Sequence, residues 1–185
     1  MARKRGVRVT VLAEDQRLAS FGRRVLEKLG FHPREVFVEP IPKSGAGQAW
    51  VRKSYPKQVA ICRQKTTHQR VALVIGIDAD NKSPEARIND LDKELERDGA
   101  RKRDATDRIA ILAPARNIET WFKYFAGEEV DEKTDYKTKV KQPDYKLAAD
   151  AFVEEFHKYR NNPDDVSTLA ALRAAYEEIN RILEE

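Results

Sequence analysis

Three carboxylates come directly after two apolar stretches of this sequence, and their positions favour metal chemistry. Glu14 follows residues 7–13, and Asp78 and Asp80 follow residues 71–77. Both stretches are rich in β-branched residues and predict strands. In an open parallel sheet, ligands bind beyond the carboxyl ends of the strands, where the strand order reverses. If the two strands are neighbours, the three acids converge, and a Mg²⁺ or Mn²⁺ ion would offset their repulsion.

The Asp-x-Asp spacing has its own geometric reason. On an extended chain, side chains two residues apart point to the same side, so Asp78 and Asp80 would contact one metal pair or one hydrated ion. Asp15, next to Glu14, would point away from them in an extended stretch. The structural alternative is that residues 78–81 form a turn that caps the following helix.

A further acid and an arginine follow the apolar stretch 108–113. Glu119 is predicted in the first turn of a helix over 118–125, near the same edge of the sheet. There it would be an additional metal ligand, or only a favourable partner of the helix dipole. Arg116 would neutralise a phosphate, because its guanidinium matches phosphate oxygens, or it would pair with Glu119.

The elements that must position these residues alternate between strands and helices. Strands are predicted over residues 7–13, 35–41, 71–77 and 108–113. Helices are predicted between and after them: one ends at Gly30, a second is divided into two pieces at Pro56, and a third begins at Ser83 and Pro84. This order predicts an α/β fold with a mainly parallel sheet of about four strands flanked by helices.

The last third of the chain has a different pattern. Residues 127–145 are polar and predict a loop or lid, and two helices are predicted over 147–160 and 165–183. The chain is therefore divided into an α/β domain over residues 1–126 and a loop with two helices over 127–185 that packs on it.

Charge is distributed unevenly along the 185 residues. Residues 1–77 carry 16 Lys and Arg against 5 Asp and Glu, a net charge of +11, whereas residues 78–185 carry 19 against 26, a net charge of −7. A basic half beside an acidic half suits a polyanion or an acidic protein partner, and the alternative is a solvated surface with segregated charges.

Cysteine content and hydropathy restrict the location and the chemistry. The single cysteine, Cys62, excludes an intramolecular disulfide and a zinc site built from cysteines. No apolar run is long enough to span a membrane, and a cytoplasmic location is expected.

The two acid-ended strands carry a resemblance to a known family. An apolar strand ending in Glu14, a helix, and an apolar strand ending in Asp78-Ala79-Asp80 resemble the TOPRIM domain of topoisomerases, primases and OLD-type nucleases. The stretch 109–114, which leads to Glu119, looks more like the OLD and defence-associated branch. The resemblance covers residues 7–126. The family usually has glycine after the first glutamate, where this chain has Asp15.

The resemblance implies a Rossmann-like fold and Mg²⁺-dependent phosphoryl transfer. Glu14 would be a metal ligand or general base, Asp78 and Asp80 would bind the metal ions, and Glu119 would be an additional ligand. Basic residues of the N-terminal half would hold a DNA or RNA backbone: Arg17, Lys43, Arg52 and Lys53. The C-terminal helices would bind a protein partner or form a homo-oligomer.

Three functions are compatible with these patterns. The first is a metal-dependent nuclease, with a phage-defence context that comes only from the resemblance. The second is a non-catalytic TOPRIM-like subunit of a larger complex, in which the acids are structural. The third is a flavodoxin-like phosphotransfer or nucleotide-binding protein, which the absence of a phosphate-cradling glycine loop disfavours.

Overall fold

Four strands pair in parallel in this computed structural model, which describes residues 6–42, 46–164 and 169–183. The strands are β1 (Val7–Ala13), β2 (Val36–Val38), β3 (Arg70–Gly76) and β4 (Ile109–Leu112). The α-helices of these residues are α1 (Gln16–Lys28), α2 (Gly47–Thr66), α3 (Pro84–Arg97), α4 (Glu119–Phe125), α5 (Tyr145–Asn161) and α6 (Ala170–Leu183). The predicted α/β class, the parallel sheet and the two C-terminal helices are confirmed.

The strand order β2-β1-β3-β4 places β1 and β3 side by side. Their residues are paired from Val7 with Arg70 to Ala13 with Gly76, so both strands end at the same level. The chain passes from β1 to β2 on one side, and from β2 across to β3 on the other. The boundary between β1 and β3 is therefore the point where the strand order reverses, and such a point is the usual ligand site of an open α/β sheet.

Both faces of the sheet are covered, which explains why β3 is apolar throughout. Ala72 and Val74 point into a core shared with α1, α5 and α6, whereas Leu73 and Ile75 point into a second core against α2 and α3. Successive side chains of a strand face opposite sides. A strand at the centre of such a sheet must therefore be apolar at almost every position.

Helix α6 closes the β4 edge of the sheet. Glu178 accepts a hydrogen bond from the backbone N–H of Ile111 at 2.7 Å, and it pairs with the buried Arg103 at 2.6 Å. Arg103 also contacts Asp92 at 3.0 Å. The C-terminal helices thus share the core of the sheet and protect one of its edges. The division into two domains stays a prediction.

Two predicted elements were wrong in detail. Pro56 does not divide α2, which runs unbroken from Gly47 to Thr66. A buried stripe of Val51, Tyr55 and Val59 continues on both sides of the proline, and its burial offsets the missing hydrogen bond. Strand β2 is shorter than the predicted range 35–41, because a 3₁₀ turn precedes it and prolines without N–H groups follow at positions 40 and 42.

Residues 127–144 contain neither helix nor strand, as predicted, and side chains near their middle contact the start of α6 and the segment that precedes α4. Glu132 accepts hydrogen bonds from the first backbone N–H groups of α6, on Ala170 and Ala171. Asp135 accepts one from the side chain of Asn117 at 2.7 Å.

None of the helices in the described segments combines the length and the apolarity that a membrane span requires.

Candidate metal centre

Glu14 is placed by the last hydrogen bond of the β1–β3 ladder. Its backbone N–H donates to the carbonyl of Gly76 at 3.0 Å, one residue beyond the end of β1. The chain then turns into α1, because Asp15 is the N-cap and accepts from the N–H of Leu18 at 2.8 Å. Asp15 therefore has a structural role next to the site. It satisfies a donor of the first helical turn that would otherwise have no partner.

Asp78 meets Glu14 across the boundary between β1 and β3. The backbone N–H of Asp78 donates to Oε2 of Glu14 at 3.1 Å. The Asp78 side chain is 3% exposed and forms a hydrogen bond with the Glu14 carboxyl. The first and third strands are neighbours, which is the condition of the metal-site hypothesis, and this brings these two carboxyls into contact.

The electrostatics of this pair follow from burial and like charge. Burial raises the pKa of Asp78 well above its usual value, and the nearby Glu14 carboxylate raises it further. Burial also raises the pKa of Glu14, and its hydrogen bond with Asp78 partly opposes that rise. Both pKa values are raised because two carboxyls in contact and away from water resist ionising together. Among the described residues, neither carboxyl has a Lys or Arg partner in an ion pair.

Asp80 has different surroundings from Asp78. Its φ of 53° is left-handed, so residues 78–80 are not extended, and the expectation that both side chains point to one side was wrong. The Asp80 carboxylate is half exposed and accepts from Gln48 at 2.7 Å and from Arg87 at 3.1 Å. Its charge still reaches the pair, because it contributes to the raised pKa of Glu14.

Glu119 lies at the start of α4 and pairs with Arg17 of α1. Its side chain is only 2% exposed, so Arg17 neutralises a carboxylate that is otherwise desolvated. The charge of Glu119 also contributes to the raised pKa of Asp78, which places both acids in one electrostatic neighbourhood. Oδ1 of Asp78 and Oε2 of Glu119 are buried, and neither accepts a hydrogen bond from any described residue.

Most of the cations predicted to hold nucleic acid are engaged in local contacts. Arg17 pairs with Glu119, and Arg52 contacts Glu94. Arg116 donates to Asn81 and lies 3.9 Å from Asp135, so the alternative pairing of Arg116 with Glu119 was wrong. Lys53 is exposed on α2, and Lys43 lies outside the described residues.

Three residues that the sequence patterns did not single out shape this site. Gly47 begins α2 against the backbone of Glu14, where a methyl group on its Cα would lie 2.1 Å from the Glu14 carbonyl oxygen. Gln48 and the buried Arg87 hold Asp80, and Arg87 also donates to the Ala79 carbonyl at 3.3 Å. The available signal in the sequence is the glycine at position 47, whose surroundings lack a P-loop pattern and therefore do not by themselves indicate a ligand site.

The donor set suits a hard cation held by few protein ligands. Within the ranges that the structure describes, no three His, Cys, Asp or Glu side chains converge in a way that could hold a metal ion. Two carboxylates are nevertheless sufficient for Mg²⁺, which commonly takes one or two of them and completes its shell with water and phosphate oxygens. The unpartnered Oδ1 of Asp78 is available as such a ligand.

Comparison with known proteins does not extend this picture. A scan against protein-family models and searches of curated proteins and solved structures found no significant match to the chain.

Proposed function

We propose that this protein is a Mg²⁺- or Mn²⁺-dependent enzyme that hydrolyses phosphodiester bonds of DNA or RNA. The observation that carries the proposal is the contact between Glu14 and Asp78 at the point where the strand order reverses. The buried Asp78 and the partly buried Glu14 lie in contact without a basic partner among the described residues, which costs stability, and raised carboxyl pKa values of this kind cluster at functional sites. The TOPRIM resemblance, its OLD-type defence-associated branch and a cytoplasmic location belong to the same proposal.

The residues at the site would divide the chemistry as follows. Glu14 and Asp78 would hold the cation in their ionised forms. Alternatively, Asp78 would be the ligand and Glu14 would act as a general base that accepts a proton from the attacking water. A bound Mg²⁺ would supply a water of lowered pKa and charge stabilisation at the phosphate. Gln48 and Arg87 would keep the Asp80 turn in place, and that turn would close one side of the site.

Cleavage assays with matched variants test this proposal. Labelled single- and double-stranded DNA and RNA are incubated with the purified protein and Mg²⁺ or Mn²⁺, beside Asp78→Asn. Glu154→Gln is the control, because Glu154 is an exposed acid of α5 that pairs with Lys158 on the same helix. We expect cleavage by the wild type and the control, and its loss in Asp78→Asn. Equal cleavage by all three proteins, or none by the wild type, would contradict the proposal.

A second function is favoured by the way three nearby acids are satisfied. Asp15 caps α1, Glu119 pairs with Arg17, and Asp80 contacts Arg87. Such contacts are typical of structural acids, so a non-catalytic TOPRIM-like subunit is the alternative. It predicts that Asp78→Asn neither changes metal affinity nor removes any activity, while the protein stays folded.

A further inference from the structure

One part of the sheet surface is not covered by helices. Helices α2 and α3 pack over β3 and β4, and beside α2 they leave a groove of about 300 Å³ over β1 and β2. Arg8 and Thr10 of β1 and Phe37 of β2 line its floor, and Ile61 and Lys65 of α2 line its wall. The groove thus joins an exposed strip of sheet to the side of one long helix.

Phe37 is the most unusual residue of this groove. Its side chain is 51% exposed, although it lies on a strand and pairs in register with Thr10 of β1. An aromatic ring left open on a sheet face forgoes the stabilisation that burial would give it. Such a ring is, however, a surface on which any nucleobase can stack, so the contact does not depend on the nucleotide sequence.

The charges around Phe37 are complementary to a polyanion. Arg8 and Lys65 are exposed, and neither side chain enters an ion pair within the described residues, in contrast to Arg17 and Arg52. Glu39 is the acid of the lining, so two cations face one anion. Cations without local partners can replace the counterions of a phosphate backbone at no cost in broken ion pairs.

The groove leads toward the carboxylate pair. Thr10 lies in β1 and Glu14 directly follows that strand, four residues later, which corresponds to about 13 Å along a strand. Helix α2 forms the wall of the groove, and its first residue, Gly47, contacts the backbone of Glu14. A single nucleic-acid strand lying along α2 would therefore pass from Lys65, near the end of the helix, toward Glu14, near the beginning of the helix.

The β2 edge is poorly suited to pairing with another protein strand. Strand β2 has three residues, and Pro40 and Pro42 follow it without N–H groups to donate. The face of β2, rather than its edge, is the surface that remains for a ligand.

We infer that the groove formed by Arg8, Phe37 and Lys65 binds single-stranded nucleic acid and directs it to the Glu14–Asp78 pair. A base stacks on Phe37 while Arg8 and Lys65 contact phosphates. This inference rests on the proposed function, since it names the form of the substrate and the surface that receives it.

Fluorescence anisotropy with a labelled oligothymidylate, in EDTA, tests this inference without any need for catalysis. Phe37→Ala is expected to weaken binding about fivefold or more, in line with the loss of one stacked base, and Phe37→Trp is expected to retain it. Lys65→Gln should lower the dependence of log K on log salt by about 0.7, the value for one phosphate contact on a single strand. Leu147→Ala, at an exposed apolar residue of α5, and Lys93→Gln, at an exposed lysine of α3 outside the groove, are the controls.

Several outcomes would overturn the inference. These are equal affinity of Phe37→Ala and Leu147→Ala, tighter binding of the matching duplex than of the single strand, or a self-association in sedimentation that Phe37→Ala abolishes. The last result would assign the groove to a second copy of the chain. Because binding is measured in EDTA, a protein that binds but does not cleave refutes only the proposed catalysis. A protein that cleaves while Phe37→Ala binds normally refutes only the groove.

Discussion

Gly47 and Glu14 touch through their backbones, so that a methyl group on the Cα of Gly47 would come within 2.1 Å of the Glu14 carbonyl oxygen. The contact joins the first turn of α2 to the end of β1. It leaves no space for a side chain at this position, and it fixes where the helix begins relative to the candidate site.

Gly47→Ala is therefore expected to destabilise the protein by about 1–3 kcal/mol, as overpacking does in a well-packed interior. Within a helix the same change usually stabilises, because alanine has the higher helix propensity. Gly22 of α1 is the matched control, since a methyl group there would meet Leu112 and Val11 at an ordinary 3.9 Å. Urea unfolding should show loss of stability for Gly47→Ala and a gain for Gly22→Ala. Equal effects would mean that the Gly47 contact is not tight.

Asp78→Asn is expected to stabilise the metal-free protein at neutral pH. Burial and the Glu14 charge raise the pKa of Asp78, so wild-type stability falls as pH rises from the unfolded value, about 3.9, through the raised folded value. Asparagine carries no charge and avoids this loss. A gain of 1 kcal/mol would raise Tm by roughly 2–4 °C. Melting curves in EDTA should show a difference in Tm between the variant and the wild type that grows with pH across this window. A variant less stable than the wild type at every pH would contradict the claim that ionising Asp78 destabilises the fold.

Arg17→Met is expected to cost about 1–3 kcal/mol, because it leaves the buried Glu119 carboxylate without its cation. Adding Glu119→Gln should recover most of that loss. Arg23→Met on the same helix is the control, since its pair with Glu27 at 2.8 Å is at the surface and is worth less than about 1 kcal/mol. Similar unfolding free energies for the two single variants would show that Arg17 does not stabilise Glu119.

Cys62 is expected to react slowly with thiol reagents in the folded protein. Burial raises the pKa of its thiol to about 11, from an ordinary 9.0. The thiolate is the reactive form, so near pH 8 its population should be roughly 100-fold lower than in the unfolded chain. Absorbance measurements with a disulfide reagent, with and without guanidinium chloride, compare the two rates. Comparable rates would place Cys62 in an accessible position.

The main features of the fold could be predicted from this sequence because they depend on local patterns. Apolar runs that stop at acids identified β1 and β3, and Ser83 was correctly predicted as the N-cap of α3. The side-by-side position of β1 and β3 was only a condition of the metal-site hypothesis, and the structure meets it. The contact between Glu14 and Asp78 follows from that position.

Other features depend on contacts between distant residues, which no local pattern reports. The left-handed φ of Asp80, 53°, turns its side chain toward Gln48 and Arg87, whereas the sequence favours an extended pair. The Arg17–Glu119 pair joins residues 102 positions apart. The exposure of Phe37 depends on which strands α2 covers, and the strand order decides that.

Calorimetric titration with Mg²⁺ tests the central claim most directly, since it asks whether Glu14 and Asp78 hold a cation. The account predicts that the wild type and the Glu154→Gln control bind Mg²⁺ with equal affinity, and that Asp78→Asn weakens binding about tenfold or more. Binding that is absent from the wild type, or unchanged in Asp78→Asn, would contradict it.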